Sequence, residues 1–213
     1  MTAPEFESKR RKLADKLQRR YDLAADVTQA MATVPREAFL PENQRSSAYV
    51  DRPLPIDDGQ TISAPHMVAM MADAMDLGPD ERVLEIGTGC GYHAAVTAEL
   101  VGQNNVYTVE YSDALATAAR ERLATLGYDD ISVRHGNGYH GWPAHAPYDT
   151  AYLTCGANAF PDAVIEQVRV GGLLLGPIGR GAQRLIRATK REDGGLEERD
   201  LGGVRFVRMR GAP

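Results

Sequence analysis

Three glycines at alternate positions form the strongest chemical signal in the sequence, within the segment Glu85–Gly91, which is written EIGTGCG. Glycine adopts backbone angles that other residues avoid, and it lets a ligand approach the backbone closely. The free N–H groups at the start of a following helix would then face that ligand. The segment therefore predicts a cofactor-binding loop, and the alternative is a tight turn that binds nothing.

Two further segments support the cofactor interpretation. Glu110 ends the next predicted strand, where a carboxylate can accept hydrogen bonds from both hydroxyls of a ribose. Gly136-Asn137-Gly138 follows the third predicted strand. Ligands of open α/β sheets bind at the carboxyl ends of parallel strands, so we expect these segments to meet there. The alternative for Glu110 is an exposed charge at the end of a strand.

The elements that hold these residues alternate between strands and helices. Such alternation predicts an α/β fold, with a mostly parallel sheet covered by helices on both faces. The predicted strands are 83–86, 106–110, 131–134, 149–154 and 173–177, and the predicted helices are 92–101, 113–126 and about 161–168.

The two ends of the chain have different patterns. Residues 5 to about 34 have helical periodicity, and another helix is expected to start near Ser63 or Ala64. Near the C-terminus, two strands at 185–190 and 204–209 are expected to form a hairpin around the polar turn 193–195. We expect one domain over 1–213, with an N-terminal helical and loop extension (1–60), a cofactor-binding core (61–180) and a C-terminal hairpin (181–213).

Bulk properties exclude several classes of protein. The 213 residues carry a formal net charge of −5, which argues against nucleic-acid binding. No apolar run approaches the roughly 20 residues of a membrane span. Two cysteines are consistent with reduced thiols, so we expect a cytoplasmic protein. The five histidines match no common metal-ligand spacing, so we expect no metal site. We also expect the protein to be a monomer.

The glycine spacing and a second segment carry a family resemblance. The G-x-G-x-G loop after an acidic residue resembles the first motif of class I, Rossmann-like S-adenosylmethionine-dependent methyltransferases. The segment Gly59–Met67, written GQTISAPHM, is similar to the signature of protein-L-isoaspartate (D-aspartate) O-methyltransferases, and the loop extended to Gly-Tyr-His resembles archaeal members. The resemblance extends over roughly 30–209.

This resemblance implies an activity and a set of site residues. The activity is transfer of a methyl group from S-adenosylmethionine to the free α-carboxylate of isoaspartyl residues in damaged proteins and peptides, which starts repair through a succinimide. Ser63 would be the catalytic residue, and Asp57, Val207 and Arg208 would flank the substrate peptide. The residues expected to hold the cofactor are Thr61, Ile62, Ser63, His66, Glu85, Gly87, Gly89, Gly91, Glu110, Asn137 and Gly138.

Three departures from the family pattern leave alternatives open. The family usually has aspartate at position 137, glycine at position 57 and Pro-Leu where this chain has Arg208-Met209. We expect the Asn137 amide to accept a hydrogen bond from adenine; the alternative is a left-handed turn between two glycines. One rival function is methylation of aspartate in a dedicated peptide to form an aspartimide. Another is a catalytically weak paralogue that binds a protein partner.

Overall fold

The computed structural model describes residues 1–211. The helices are α1 (Ala3–Tyr21), α2 (Ala25–Thr33), α3 (Glu42–Arg45), α4 (Pro65–Met75), α5 (Tyr92–Val101), α6 (Asp113–Thr125) and α7 (Asp162–Gln167). The strands are β1 (Leu54–Pro55), β2 (Thr61–Ile62), β3 (Val83–Ile86), β4 (Val106–Glu110), β5 (Ser132–His135), β6 (Tyr148–Leu153), β7 (Val168–Ile178), β8 (Gln183–Lys190) and β9 (Leu196–Val204).

Seven of the strands in the described residues form one sheet in the order β5-β4-β3-β6-β7-β8-β9. The pairs from β5 to β7 are parallel, and β8 and β9 are antiparallel additions at one edge. The chain enters at β3, builds outward to β5, and then crosses back to place β6 on the other side of β3. This reversal creates a crevice beside the carboxyl end of β3, where ligands of open α/β sheets bind. The predicted mostly parallel sheet is confirmed.

Two apolar layers cover the faces of the sheet. The larger layer joins the sheet to α1, α2, α4 and α5, and it contains Leu17, Phe39 and Met71. The smaller layer packs around Tyr148 and Phe160 on the other face. The helices are therefore held on both faces, as the alternation of elements predicts.

Two element predictions were wrong. The single helical region at 5–34 is divided because Asp22 takes a left-handed conformation (φ 54°) that ends α1. Aspartate tolerates this conformation, and apolar periodicity on both sides hides the break. The last strand is Leu196–Val204 rather than 204–209, because pairing proceeds outward from the turn and joins Lys190 to Leu196.

No helix in residues 1–211 is both long enough and apolar enough to cross a membrane. Over the same residues, no three or more histidine, cysteine, aspartate or glutamate side chains are grouped to hold a metal ion.

Candidate active site

The glycine loop leaves the carboxyl end of the fully buried strand β3. Gly87, Gly89 and Gly91 all have positive φ angles, of 102°, 54° and 91°. A Cβ on Gly87 would overlap the Oγ1 atom of Thr154, so the loop cannot carry a side chain there. Helix α5 begins directly after Gly91, and its first backbone N–H groups lie at the loop. The backbone of the loop is therefore exposed to the crevice.

Glu110, at the end of the neighbouring strand β4, fixes the position of this loop by hydrogen bonding. Its Oε2 atom accepts a hydrogen bond from the Gly89 N–H (2.8 Å), and its Oε1 atom accepts one from the Ser112 N–H (3.0 Å). The side chain is buried, so the carboxylate has a fixed position. A carboxylate has about four acceptor positions, which leaves Glu110 able to accept two more hydrogen bonds.

A pocket opens between the glycine loop, Glu110 and the C-terminal tail, which we define as residues 205–211. It encloses about 560 Å³, part of which is open to solvent. Its lining residues are Gln60, Thr61, Ile86, Gly87, Gly89, Val109, Glu110, Tyr111, Gly138, Thr154, Cys155, Val207, Arg208, Met209 and Arg210. We call this the cofactor pocket.

A second cavity adjoins the cofactor pocket, and the two share Thr61, Thr154 and Val207. We call it the acceptor cavity. Ser63 lines the acceptor cavity and also a small hollow against the glycine loop, which Ile62 borders as well. The predicted catalytic serine therefore lies between the acceptor cavity and the hollow, and it does not line the cofactor pocket itself.

A buried arginine fixes the backbone at this serine. The Arg36 Nη2 atom donates a hydrogen bond to the Ser63 carbonyl (2.7 Å), and its Nε atom donates one to the Ala48 carbonyl (2.9 Å). Arg36 is fully buried, and its guanidinium lies over the Tyr92 ring at 4.9 Å. Burial lowers the pKa of Arg36. Ser63 does not cap helix α4, because Ala64 occupies the cap position.

His66, which the resemblance assigns to the cofactor, lines the acceptor cavity and not the cofactor pocket. Both its Nδ1 atom (2.8 Å) and its backbone N–H (2.9 Å) contact the Oδ1 atom of Asp51. The imidazole also stacks on the ring of Tyr21, at 6.0 Å between centroids. These contacts hold its other ring nitrogen in one orientation.

Glu85 does not line the cofactor pocket, although the sequence predicted a cofactor contact. Its carboxylate is fully buried behind the loop and accepts hydrogen bonds from Thr108 Oγ1 (2.6 Å) and Tyr152 OH (2.9 Å). Burial raises the pKa of Glu85 to about 8, and these two hydrogen bonds oppose the rise. Glu85 faces the side of the sheet that α5 covers, where its partner Tyr152 also contacts Thr97 of that helix. These contacts support the loop indirectly.

The two residues of the third predicted segment differ in position. Gly138 lines the cofactor pocket, and a Cβ there would overlap Ile86 and lie 3.0 Å from the Met209 Cε atom. Asn137 does not line the pocket. Its Oδ1 atom accepts a hydrogen bond from the Tyr139 N–H (3.0 Å), and its φ of −80° is not left-handed. The φ value excludes the left-handed alternative, and the contact with adenine stays a prediction.

The tail closes one side of the cofactor pocket. It lies beside Gly156, whose N–H donates to the Val207 carbonyl (2.7 Å) and whose carbonyl accepts from the Met209 N–H (2.9 Å). Arg210 extends across to Asp58, with an Nη1–Oδ2 distance of 2.5 Å, and lies over the Tyr111 ring. The tail therefore connects the two walls of the pocket mouth.

Two of the predicted substrate contacts are directed elsewhere. The Arg208 guanidinium donates hydrogen bonds to the Gly179 and Arg180 carbonyls, and these bonds hold the tail against the segment after β7. Asp57 is exposed on the turn before β2 and lines neither the cofactor pocket nor the acceptor cavity. Val207 lines both spaces, as predicted for a residue beside the substrate.

Comparison with known proteins identifies the family. The model of the family "Protein-L-isoaspartate(D-aspartate) O-methyltransferase" matches residues 8–212. The chain belongs to this family. Protein-L-isoaspartate O-methyltransferase 2 of Archaeoglobus fulgidus is 47% identical over 208 residues, which cover 97% of this chain and 95% of that relative. The enzyme of Methanothermobacter thermautotrophicus is 47% identical over 209 residues, covering 97% and 96%.

Solved structures of the family share the fold. A protein-L-isoaspartate O-methyltransferase superposes with a TM-score of 0.88 at 31% identity, covering 95% of this chain and 66% of that one. A beta-aspartate methyltransferase from Plasmodium falciparum, solved with S-adenosyl-L-homocysteine, gives 0.80 at 25% identity, covering 94% and 98%. The predicted family and the predicted class I methyltransferase fold are both confirmed.

Proposed function

We propose that the protein transfers a methyl group from S-adenosylmethionine to the free α-carboxylate of isoaspartyl residues in damaged proteins and peptides. The observation that carries this proposal is the position of the segment Thr61–Ser63. Its Thr61 lines both the cofactor pocket and the acceptor cavity, and its Ser63 lines the acceptor cavity and the hollow against the glycine loop. A methyltransferase must bring the methyl donor and the acceptor carboxylate together, and this segment lies where the two binding spaces adjoin.

The cofactor pocket suits S-adenosylmethionine. Gly87 and Gly138 leave backbone exposed where side chains would collide with neighbours. Glu110 retains acceptor capacity for ribose hydroxyls. His93 lines the hollow beside Ser63, and its buried Nε2 atom has no hydrogen-bond partner within residues 1–211. Burial lowers the pKa of His93 to about 3, so the imidazole is neutral and offers one acceptor to an ammonium group.

When bound, S-adenosylmethionine supplies a methyl group on a sulfonium, which is already activated for transfer. The acceptor carboxylate is ionised at pH 7, so no residue is needed to remove a proton from it. The Ser63 hydroxyl can donate a hydrogen bond to that carboxylate and fix its orientation. Arg36 holds the Ser63 backbone in place, and the tail limits the access of water.

The test measures methyl transfer to two peptides of the same sequence, one with L-isoaspartate and one with L-aspartate at the central position. We expect rapid transfer of labelled methyl to the isoaspartyl peptide and little transfer to its twin. Only the isoaspartyl peptide has a free α-carboxylate attached directly to Cα, because its chain continues through the side-chain carbonyl. The free carboxylate of the aspartyl twin is attached to Cβ, one methylene further away. Equal or greater labelling of the aspartyl peptide would contradict the proposal and favour formation of an aspartimide in a dedicated partner.

Two finer statements also belong to this proposal. The two cysteines, Cys90 and Cys155, are buried and unpaired, which favours work in the reducing cytoplasm. That the protein acts as a monomer stays a prediction from the sequence.

A further inference from the structure

One face of α1 carries three lysines that the reaction does not use. Lys9, Lys12 and Lys16 are spaced by three and four residues, so they lie on one side of the helix. All three are exposed, and none forms an ion pair with an acidic side chain within residues 1–211. They line one wall of a groove of about 850 Å³ that is open to solvent. We call this the basic groove.

The basic groove and the acceptor cavity are linked by one contact between their lining residues. Asp51 lines the groove, and its carboxylate binds His66, which lines the acceptor cavity. The ring of Tyr21, at the end of α1, stacks on the same histidine. At 1.5 Å per residue, Lys16 lies about 8 Å and Lys9 about 18 Å along the axis from Tyr21. An extended peptide covers that distance with roughly two to six residues, at about 3.3 Å each.

The charge of the groove opposes that of the molecule. The whole chain has a net charge of −5, but α1 carries seven basic and three acidic side chains. Asp51 is the acidic residue that lines the groove, and its carboxylate is already paired with His66. A peptide that leaves the acceptor cavity along this path would therefore meet three exposed ammonium groups, none of which is in an ion pair within residues 1–211.

We propose that the basic groove extends the acceptor cavity and binds acidic side chains of the substrate that flank the isoaspartyl residue. This inference rests on the proposed function and names the class of substrate that the site prefers. Each carboxylate–ammonium contact at about 8 Å in water-like surroundings changes binding about twofold, so three lysines together change it about tenfold at low salt.

The test uses three isoaspartyl peptides that differ only in their flanks: glutamines on both sides, glutamates on the N-terminal side, or glutamates on the C-terminal side. KM and kcat are measured at low and high salt, and direct binding of each peptide is followed by fluorescence anisotropy. We expect one acidic peptide to have a KM about tenfold below that of the neutral peptide at low salt, with kcat unchanged. High salt should remove most of the difference.

Matched variants identify the source of the preference. The triple variant K9Q/K12Q/K16Q should raise the KM and dissociation constant of the preferred acidic peptide to those of the neutral one, and should leave the neutral peptide unchanged. Replacing the same lysines with arginine should preserve the preference. The control R120Q/R191Q/R199Q removes the same charge from exposed positions on α6, on β9 and in the turn before it, and should also preserve the preference.

Two results would overturn the inference. One is equal binding of the acidic and neutral peptides by the unaltered protein at low salt. The other is an equal loss of preference in the lysine variant and the arginine control, which would indicate a general charge effect. Failure of the proposed function looks different, because then even the neutral isoaspartyl peptide would accept no methyl group, while anisotropy would still report on the groove.

Discussion

The Ser63 hydroxyl is the side-chain group that this account assigns to the reacting carboxylate. A hydrogen bond from a hydroxyl to a charged group contributes about 1.5–3 kcal/mol. We therefore expect Ser63→Ala to lower kcat about 10- to 100-fold and to change the dissociation constant of S-adenosylhomocysteine little. Steady-state kinetics and calorimetry measure the two effects. Ser8→Ala, at an exposed position on α1, is the control, and wild-type kcat in Ser63→Ala would remove the serine from the mechanism.

Glu85 gives the folded protein a specific dependence on pH. Its pKa is about 8 in the folded state, against about 4.3 for an exposed glutamate. Between these values the folded state holds one proton more than the unfolded state. The free energy of unfolding therefore falls as the pH rises, by up to about 1.4 kcal/mol per pH unit, and this contribution stops changing above pH 8.

Glu85→Gln removes that titration and can keep a hydrogen bond to Thr108 or Tyr152. We expect the wild-type protein to lose more stability than the variant between pH 5 and pH 8. Urea unfolding at each pH measures this difference. Parallel stability curves for the two proteins would show that Glu85 does not titrate in this range.

The sequence predicts the residues of the glycine loop better than the residues that hold the backbone of the site in place. Gly87, Gly89 and Glu110 could be predicted because their spacing relative to strand ends fixes where they meet. Arg36 and Thr154 were not predicted as site residues. Their partners, the carbonyls of Ser63 and Gly87, are distant in sequence, and no local pattern marks such contacts.

At the scale of elements, the strand–loop–helix unit from β3 to α5 depends on one glycine above all. Gly87→Ala would place a methyl group against Thr154 at a φ of 102°. We expect this variant to weaken S-adenosylhomocysteine binding more than tenfold and to lower stability by about 2 kcal/mol. Calorimetry and urea unfolding provide the two measurements.

Gly127→Ala is the matched control. Gly127 has a similar φ of 82°, but a Cβ there has no neighbour within 4 Å. It should cost about 1 kcal/mol of stability from backbone strain and leave the affinity for S-adenosylhomocysteine unchanged. If both alanine variants weakened binding alike, contact with Thr154 would not be what requires glycine in the loop.

Buried parallel strands were easier to predict than the edge of the sheet. The strand β3 is a short apolar run before glycines, and it is fully buried. The edge strand β9 is mostly exposed and polar, with two glycines near its end, so it lacks the alternation that marks a strand. The apolar residues that follow it instead form the tail, whose position depends on pairing with the distant Gly156.

At the scale of the whole molecule, the sheet topology assembles the site from segments far apart in sequence. The segment Thr61–Ser63, the loop after β3, the end of β4 and the tail meet at the crevice beside β3. Chain order and the crevice could be predicted from the alternation of elements. The closure by the tail could not, because Arg210 and Asp58 are separated by most of the chain.

The most direct test of the central claim follows one isoaspartyl peptide over time, with the protein and S-adenosylmethionine, by chromatography and mass spectrometry. We expect a methyl ester first, then a succinimide, and then the normal aspartyl peptide, with the isoaspartyl form steadily consumed. Omission of S-adenosylmethionine should stop the whole series. An isoaspartyl peptide that stays unchanged, while the aspartyl twin is converted to a succinimide, would contradict the account.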